Sequence, residues 1–542
     1  MTEITSANFE QMFPIIYEDI RQSSFIAIDT EMTGLVCDKS CTPSLFDTLE
    51  ARYSKQRRSA NKFIVCQLGL SLFMRDYKSN SYEAKTYTFY LCPRSLNCRR
   101  ADFSFDMSAI EFLAYNHFEF DKFAKLGINY LNEIEEQNLI NRFDDFLDID
   151  FIDCPIRYET CSHQVSEWLN KRSSDKDCGN QLILKCWPTV NPLVNYVFIK
   201  QLRNNFPTVW VQEMNGKFIV RPIDVKERAN LLKEDGSERE QVIDKMIGFS
   251  KVFKCLIDIK RPIVGHNMLM DLLLMYHNFY KPLPKKMKQF MSSLHSIFPY
   301  IFDTKCMIFN EKQNLNEFAY IFRSPSLGEV YAKLKDDDMV NAFPGTPMVY
   351  QKTNENNKAI DTYSPHNAGF DAFATAFVFL KVSHILLVKN SGDGNEIQDH
   401  VFFDMLKVIE NHVNKINLIR ANFHYLSITG PNPLAKSKWL FARKRNKYSK
   451  FNLTTLTSKL AEHGTADIKV IDTNSSVLIA TNSHKMAKTI VEIFRTDANI
   501  KVSDYNVYKH NRTMRLFLWS VLTISSGFTA MLSIRLIKYL KQ

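Results

Sequence analysis

Charge-free runs separated by polar stretches give the first outline of this chain. Phe25-Ile26-Ala27-Ile28 is an unbroken apolar run that ends in Asp29-Thr30-Glu31 and is bounded by Gly34, the pattern of a buried strand with acids at its end. Phe63 to Phe73 and Tyr87 to Leu91 are rich in β-branched and aromatic residues and read as the next two strands. The polar stretch between the first two, Asp38 to Asn61, reads as an exposed loop. Helical patterns follow from Ser108 to Leu131, then an acidic stretch from Asn132 to Asp150. A helix from Glu240 leads to Ile263-Val264, a strand, and a tight turn at Gly265-His266-Asn267, with Asn267 a candidate helix cap. Leu269, Leu272, Leu273 and Tyr276 follow helical spacing. Ala372 to Val388 carries only Lys381 and a protonatable His384 among apolar residues, which predicts a buried helix. Strands followed by helices, with acids at strand ends and helix starts, predict an α/β fold with its site at the sheet edge.

Composition narrows this only slightly. The 542 residues suffice for two to four domains, and 45% hydrophobic with 24% charged residues is ordinary for a globular chain. A net charge of +10 favours a polyanionic partner, nucleic acid or an acidic lipid surface alike. The eleven cysteines contain no CxxC pair. Cys37 and Cys41 lack a matching partner pair or a His-x3-His, so scattered reduced thiols are expected rather than zinc. The first residues, Met1 to Ser6, have no basic region or apolar core that would predict a signal peptide.

Side chains on a strand alternate, so Asp29 and Glu31 project from one face. Two carboxylates that close repel unless a cation lies between them, and hard oxygen donors suit Mg²⁺ or Mn²⁺. Taken alone, a D-x-E is as often a solvated strand end. Two further acids arrive in matching settings: Asp271, in Gly265-His266-Asn267-Met268-Leu269-Met270-Asp271, and Asp371, in His366-Asn367-Ala368-Gly369-Phe370-Asp371.

D-x-E, N-x3-D and H-x4-D in this order resemble the DEDDh 3′-to-5′ exonucleases. The wording of Asp29-Thr30-Glu31-Met32-Thr33-Gly34-Leu35, Val264 to Leu269, and Phe120-Asp121-Lys122 leading to Gly127-Ile128 is similar to the poly(A)-specific ribonuclease family over most of residues 1 to 400. The resemblance implies an RNase H-like nuclease domain in two parts, residues 1–155 and 236–410. Asp29, Glu31, Asp271 and Asp371 would bind two Mg²⁺ ions, replaceable by Mn²⁺, about 3.5 to 4 Å apart. His366 would take the proton of the attacking water. His266 and His277 read as structural.

The same resemblance covers the flanking regions. Residues 156–235 resemble the family's small α+β nucleic-acid-binding insertion, but its Arg-x3-His signature is absent: Arg203 is followed by Asn204, Asn205, Phe206 and Pro207. Residues 415–508, with Tyr425 to Gly430, the basic run Lys436 to Lys450, Val477 to Thr481 and the amphipathic Lys485 to Arg495, resemble an RRM. Val477 to Thr481 has no aromatic on which a base could stack, so a packing or partner-binding role is expected, with Trp439 to Lys450 still able to grip phosphates. Leu516 to Ile534 is a 19-residue stretch without charge, flanked by Arg512, Arg515, Arg535, Lys538 and Lys541. It reads as a transmembrane tail anchor, the alternative being a buried helix. A short anchor with basic flanks predicts the mitochondrial outer membrane, with the endoplasmic reticulum as the alternative.

A membrane span on such a nuclease resembles the branch of the family that trims pre-piRNA 3′ ends. That implies single-stranded RNA 3′ ends held by a PIWI-type Argonaute, and a Tudor-domain adaptor at the mitochondrial surface. A membrane-tethered poly(A) deadenylase and a non-catalytic membrane-anchored RNA-binding scaffold are the alternatives. The sequence leaves the oligomeric state open, a homodimer included.

Overall fold

Ile26, Ala27 and Ile28 are buried because their strand lies inside a sheet rather than at its rim. The computed structural model describes the chain except residues 77–79, 97–101, 144–154, 175–178, 313, 324–325, 344, 352–365, 391–401, 434–438, 447, 473–474 and 541–542. Parts of the acidic run to Asp150, of the polar run Lys171 to Asn180 and of the basic run Lys436 to Lys450, together with Pro344 and Lys541, lie outside the described residues. The chain divides into two compact units: Met1–Cys41 with Tyr53–Asn417 and Ser427–Gly430, and Thr42–Arg52 with Leu418–Leu426 and Pro431–Gln542.

Strands β1 (Thr2–Ile4), β2 (Phe25–Met32), β3 (Val65–Asp76) and β4 (Ser81–Tyr90) come first. The small strands β5 (Leu182–Ile183), β6 (Val209–Met214) and β7 (Lys217–Pro222) are followed by β8 (Ile263–Gly265), β9 (Ile301–Asp303), β10 (Met348–Gln351), β11 (Lys415–Asn417) and β12 (Tyr425–Ser427). The main sheet has the order β1-β4-β3-β2-β8-β9-β11-β12, with β10 also on β4. β2, β3 and β4 are antiparallel, whereas β8 runs parallel to β2 and β9 parallel to β8. The helix Ala368–Asn390 packs on β2 and β3, with the Phe25 ring 5.1 Å from Phe379 and 5.0 Å from Phe73. Its Lys381 is buried and donates to Asn341 Oδ1 at 3.0 Å, and burial holds its ammonium down to about 8. The mixed α/β fold expected from the sequence is the fold the chain adopts, with the acids at the end of an interior strand rather than at the sheet edge.

Three other expectations change. Asp38 to Asn61 is not all loop: Leu49–Ala60 is helical, and Tyr53 is buried with its hydroxyl donating to the Pro284 carbonyl at 2.6 Å. A polar helix with one buried edge leaves almost no apolar periodicity to read. The helix expected from Glu240 begins at Val225, because Asp224 caps it by accepting the Glu227 N–H at 2.7 Å, and it runs through Gly236 to Ile247. Tyr425 to Gly430 contributes β12 to the main sheet instead of opening the RRM-like region.

Between Pro155 and Pro222, helices Pro155–Ser174 and Pro192–Asn205 enclose a core with the sheet β5-β7-β6. Arg203 is buried there, its guanidinium 3.5 Å from the Trp210 ring centroid and 2.7 Å from Glu238, donating also to the Val211 carbonyl at 2.9 Å. Those three contacts engage the guanidinium with the protein itself.

In the second unit, β13 (Leu440–Lys444), β14 (Ala466–Asp472), β15 (Ser476–Thr481) and β16 (Ile500–Asp504) form an antiparallel sheet in the order β14-β15-β13-β16. Helices Leu453–Ala461 and His484–Ile493 follow β13 and β15 and complete a β-α-β-β-α-β arrangement. Phe441 on β13 is partly exposed and stacks on His510, ring centroids 4.2 Å apart. The helix Arg512–Leu540 ends the unit, and its segment Thr513–Ile537 is long and apolar enough to cross a membrane, with mean hydropathy 1.6. Its large apolar side chains are exposed. The helix Ala368–Asn390 is as apolar but is packed in the core of the first unit.

Candidate active site

Asp29 and Glu31 stand two residues apart near the end of β2, paired across the ladder with Gly69 and Gln67 of β3. A register shift between Glu31 and Met32 ends the regular pairing there. The third acid is placed by a buried neighbour. Asp303, at the end of β9, accepts backbone N–H groups from Asn267 at 3.0 Å, Met268 at 3.2 Å, Cys306 at 3.1 Å and Asn417 at 3.0 Å. The first two of these bonds hold the turn before the helix Leu269–Met275, whose first turn carries Asp271. Asn267 therefore does not cap that helix. Met268 occupies the cap position without a side-chain bond, and Asn267 has φ 63° with its amide oxygen accepting from Asn417 Nδ2 at 2.7 Å.

The fourth acid comes from the helix Ala368–Asn390. Asn367 caps it by accepting the N–H groups of Gly369 at 3.1 Å and Phe370 at 3.2 Å, while the Ala368 N–H donates to Gln67 Oε1 at 3.0 Å. A Cβ on Gly69 would fall on the Ala368 carbonyl, so only glycine lets the helix start lie on β3 opposite Asp29. Asp371 then stands one turn in, and its Oδ2 accepts the His366 N–H at 3.0 Å. His366 has φ 62°, and its ring lies edge to face with Phe112 at 4.7 Å.

Three of the five residues expected to form the site come within ligand distance of one another, and Asp29 and Asp271 act on them electrostatically. Glu31, His366 and Asp371 offer donor atoms within 4.8 Å of one another. Thr30 donates its hydroxyl to Asp271 Oδ1 at 2.6 Å, which ties the third acid to the strand of the first two. Burial, then repulsion from Asp371, Asp271 and Glu31, pushes the Asp29 carboxyl well above its ordinary range. Burial, then Asp371 and Asp271, does the same to Glu31. Burial pushes Asp371 up to about 7 against the pull of the His366 N–H, and Asp271 up to about 6 against the Thr30 hydroxyl. Partial burial lowers the His366 imidazole, leaving it neutral and able to accept a proton near pH 7.

Buried carboxylates, two of them raised further by their neighbours, fit a hard divalent cation, whose positive charge offsets both the burial and the repulsion. A carboxyl with a raised folded pKa stabilises the fold fully below its unfolded value, and that contribution is lost as pH rises through the folded value. With chelator present, the melting temperature should therefore carry a component that falls between about pH 4 and 7. Asp371→Asn should flatten that component in melts across the range. An unchanged slope would mean that the fold does not raise the Asp371 carboxyl.

Thr30, Gln67, Gly69 and Asp303 escaped the sequence reading, as did the Phe112 edge on His366. Only Asp303 carried a usable signal, an acid directly after the apolar pair Ile301-Phe302.

The family model of the CAF1 family ribonucleases matches residues 4–379. The chain belongs to the CAF1 ribonuclease family. It is 30% identical over 547 residues to the poly(A)-specific ribonuclease PNLDC1 of Mus musculus, covering 96% of this chain and 97% of that one. It is 28% identical over 539 residues to the pre-piRNA 3′-exonuclease trimmer of Bombyx mori, with 97% of each covered. The poly(A)-specific ribonuclease PARN of Xenopus laevis is 26% identical over 455 residues, 79% of this chain and 69% of that one. The likeness to poly(A)-specific ribonucleases read from the three motifs is thus borne out, and this CAF1 ribonuclease is an enzyme of 3′-to-5′ RNA cleavage.

Proposed function

We propose that this CAF1 ribonuclease trims the 3′ ends of pre-piRNAs, with Asp29, Glu31, Asp271 and Asp371 as its metal-binding acids and His366 as its general base. The observation that supports the chemistry is that Glu31, His366 and Asp371 stand within ligand distance of one another, while Asp271 and Asp371 both raise the carboxyls of β2. The substrate reading draws on the near full-length likeness to the trimmer of Bombyx mori.

Asp29, Glu31, Asp271 and Asp371 would hold two Mg²⁺ ions, or Mn²⁺ in their place. Divalent ions in such a set offset phosphate charge and lower the pKa of water at a phosphodiester. Thr30 keeps Asp271 turned toward β2, and Asn367 and Gln67 fix the helix that carries Asp371. His366, neutral and beside Glu31 and Asp371, accepts the proton of the attacking water. The positive φ of His366 turns the chain directly into the helix that carries Asp371.

The exposed apolar segment Thr513–Ile537 supports a membrane anchor at the chain's C-terminal side. Together with the trimmer likeness, it supports a cytosol-facing enzyme on the mitochondrial outer membrane, the endoplasmic reticulum being the alternative. A PIWI-type Argonaute would present the RNA and a Tudor-domain protein would bring it to the membrane. Engagement of Arg203 and of Phe441 by the protein's own side chains fits an enzyme that relies on a partner to deliver RNA. The poly(A)-specific names of the Mus musculus and Xenopus laevis relatives favour the second reading, a membrane-tethered deadenylase.

Trimming of 5′-labelled RNA in Mg²⁺ separates the two. Equal shortening of heteropolymeric and oligo(A) 3′ ends, with longer piRNA 3′ ends after depletion in gonad-derived cells, is expected. Strict adenine preference with unchanged piRNA ends would overturn the trimmer reading.

A further inference from the structure

Six residues beyond Glu31 the chain turns through Cys37-Asp38-Lys39-Ser40-Cys41, with a 3₁₀ turn over Lys39–Cys41. The turn brings the two sulfurs to 3.2 Å, and Oδ2 of Asp38 lies 3.5 Å from Cys37 Sγ and 3.8 Å from Cys41 Sγ. A tetrahedral zinc ion with bonds of about 2.3 Å to sulfur and 2.0 Å to oxygen sets its sulfurs roughly 3.8 Å apart and each sulfur about 3.5 Å from the oxygen. The three atoms thus stand close to the spacing of one face of such a tetrahedron, with the sulfurs drawn somewhat together.

The surrounding bonds aim the donors. Asp38 Oδ1 accepts the Ser40 N–H at 2.7 Å, the Ser40 hydroxyl at 2.5 Å and the Cys41 N–H at 3.2 Å, which leaves Oδ2 turned to the sulfurs. The Ser40 hydroxyl is itself fixed by Arg58, which donates to it at 2.7 Å. Ser59 Oγ accepts the Cys37 N–H at 3.2 Å and pins the other end of the turn. Outer bonds of this kind orient metal ligands. Two thiolates and one carboxylate around a dication leave one excess negative charge, and the Arg58 guanidinium stands beside it. Cys41 is buried, while Cys37 and Asp38 reach solvent.

We propose that Cys37, Asp38 and Cys41 hold one zinc ion through two sulfurs and a carboxylate oxygen, with the fourth position open to solvent. This site is separate from the carboxylate cluster and suits a different ion, because soft sulfur selects thiophilic metals where hard oxygens select Mg²⁺. Binding forms two metal–sulfur bonds and releases the two thiol protons to solvent, so affinity rises with pH. The bound ion closes the turn by which the chain leaves β2.

Cobalt(II) is the test probe, added to the full chain in detergent, reduced with a phosphine and kept free of oxygen. One equivalent should produce a sulfur-to-cobalt charge-transfer band that zinc removes and excess Mg²⁺ does not. Cys37→Ser with Cys41→Ser should abolish the band. Cys161→Ser with Cys186→Ser, altering a second close cysteine pair among the described residues, whose sulfurs are 2.8 Å apart, should keep it. Asp38→Asn should weaken cobalt binding about tenfold. Independently of any variant, zinc should protect Cys37 and Cys41 of the wild type from alkylation, read by mass spectrometry. No band in the wild type, an equal band in the Cys37/Cys41 variant, alkylation unaffected by zinc, or a Cys37–Cys41 disulfide that survives the phosphine would each overturn the site.

Discussion

Glu31→Gln should remove RNA trimming by roughly 10³-fold or more while leaving the fold more stable in chelator. The loss follows from deleting one of four charges expected to hold the divalent ions, whose stabilisation of a phosphoryl transition state is worth several kcal/mol, or about tenfold for each 1.4 kcal/mol. The gain follows from the same residue's position. Its buried carboxyl is raised by Asp371 and Asp271, so an uncharged amide of the same shape relieves repulsion, by about 1 kcal/mol on the scale usual for active-site neutralisation. Mg²⁺-dependent activity and thermal melts on one preparation check both halves. Activity within tenfold of wild type would exclude Glu31 from the site. A lost activity with a lowered melting temperature would make it a structural acid.

His366→Ala should lower kcat by about 10²- to 10⁴-fold, the range for removing a positioned general base, with little change in KM. The acidic limb of the wild-type pH profile should fall below the ordinary histidine value near 6.5, because partial burial disfavours the imidazolium. That limb should vanish from the residual activity of the variant. His366 also lies within donor distance of Glu31 and Asp371, so a ligand role is the alternative. Mg²⁺ should raise the melting temperature of His366→Ala as much as that of the wild type if the imidazole acts as a base. A variant that no longer responds to Mg²⁺ would make it a ligand.

The candidate site was legible because its residues lie at points where local pattern changes. Asp29 and Glu31 end an apolar run, Asp271 and Asp371 open helices, and His366 precedes one. Their supports were not legible, because each acts across the chain. Asp303 holds the Asp271 turn through backbone N–H groups, which leave no imprint on the identity of the residues that donate them. Gly69 reads as a weak point in β3 until the Ala368 carbonyl lies against it. The fold was legible where periodicity was strong, as in β2, β3 and the helix at Ala368. It was lost in Leu49–Ala60 and Val225–Ile247, where polar helix formers outnumber apolar residues and leave little periodicity. The first RRM-like strand was misplaced because Tyr425 to Ser427 and Leu440 to Lys444 are both short and strand-like.

The bond from Ala368 to Gln67 joins residues 301 positions apart. A growing polypeptide exposes Asp29 and Glu31 early and can set Asp271 beside them through Thr30, yet Asp371 and His366 join only when the segment at Ala368 has left the ribosome and docked. A nascent chain therefore lacks the complete set of candidate acids until the segment that carries the last of them has emerged.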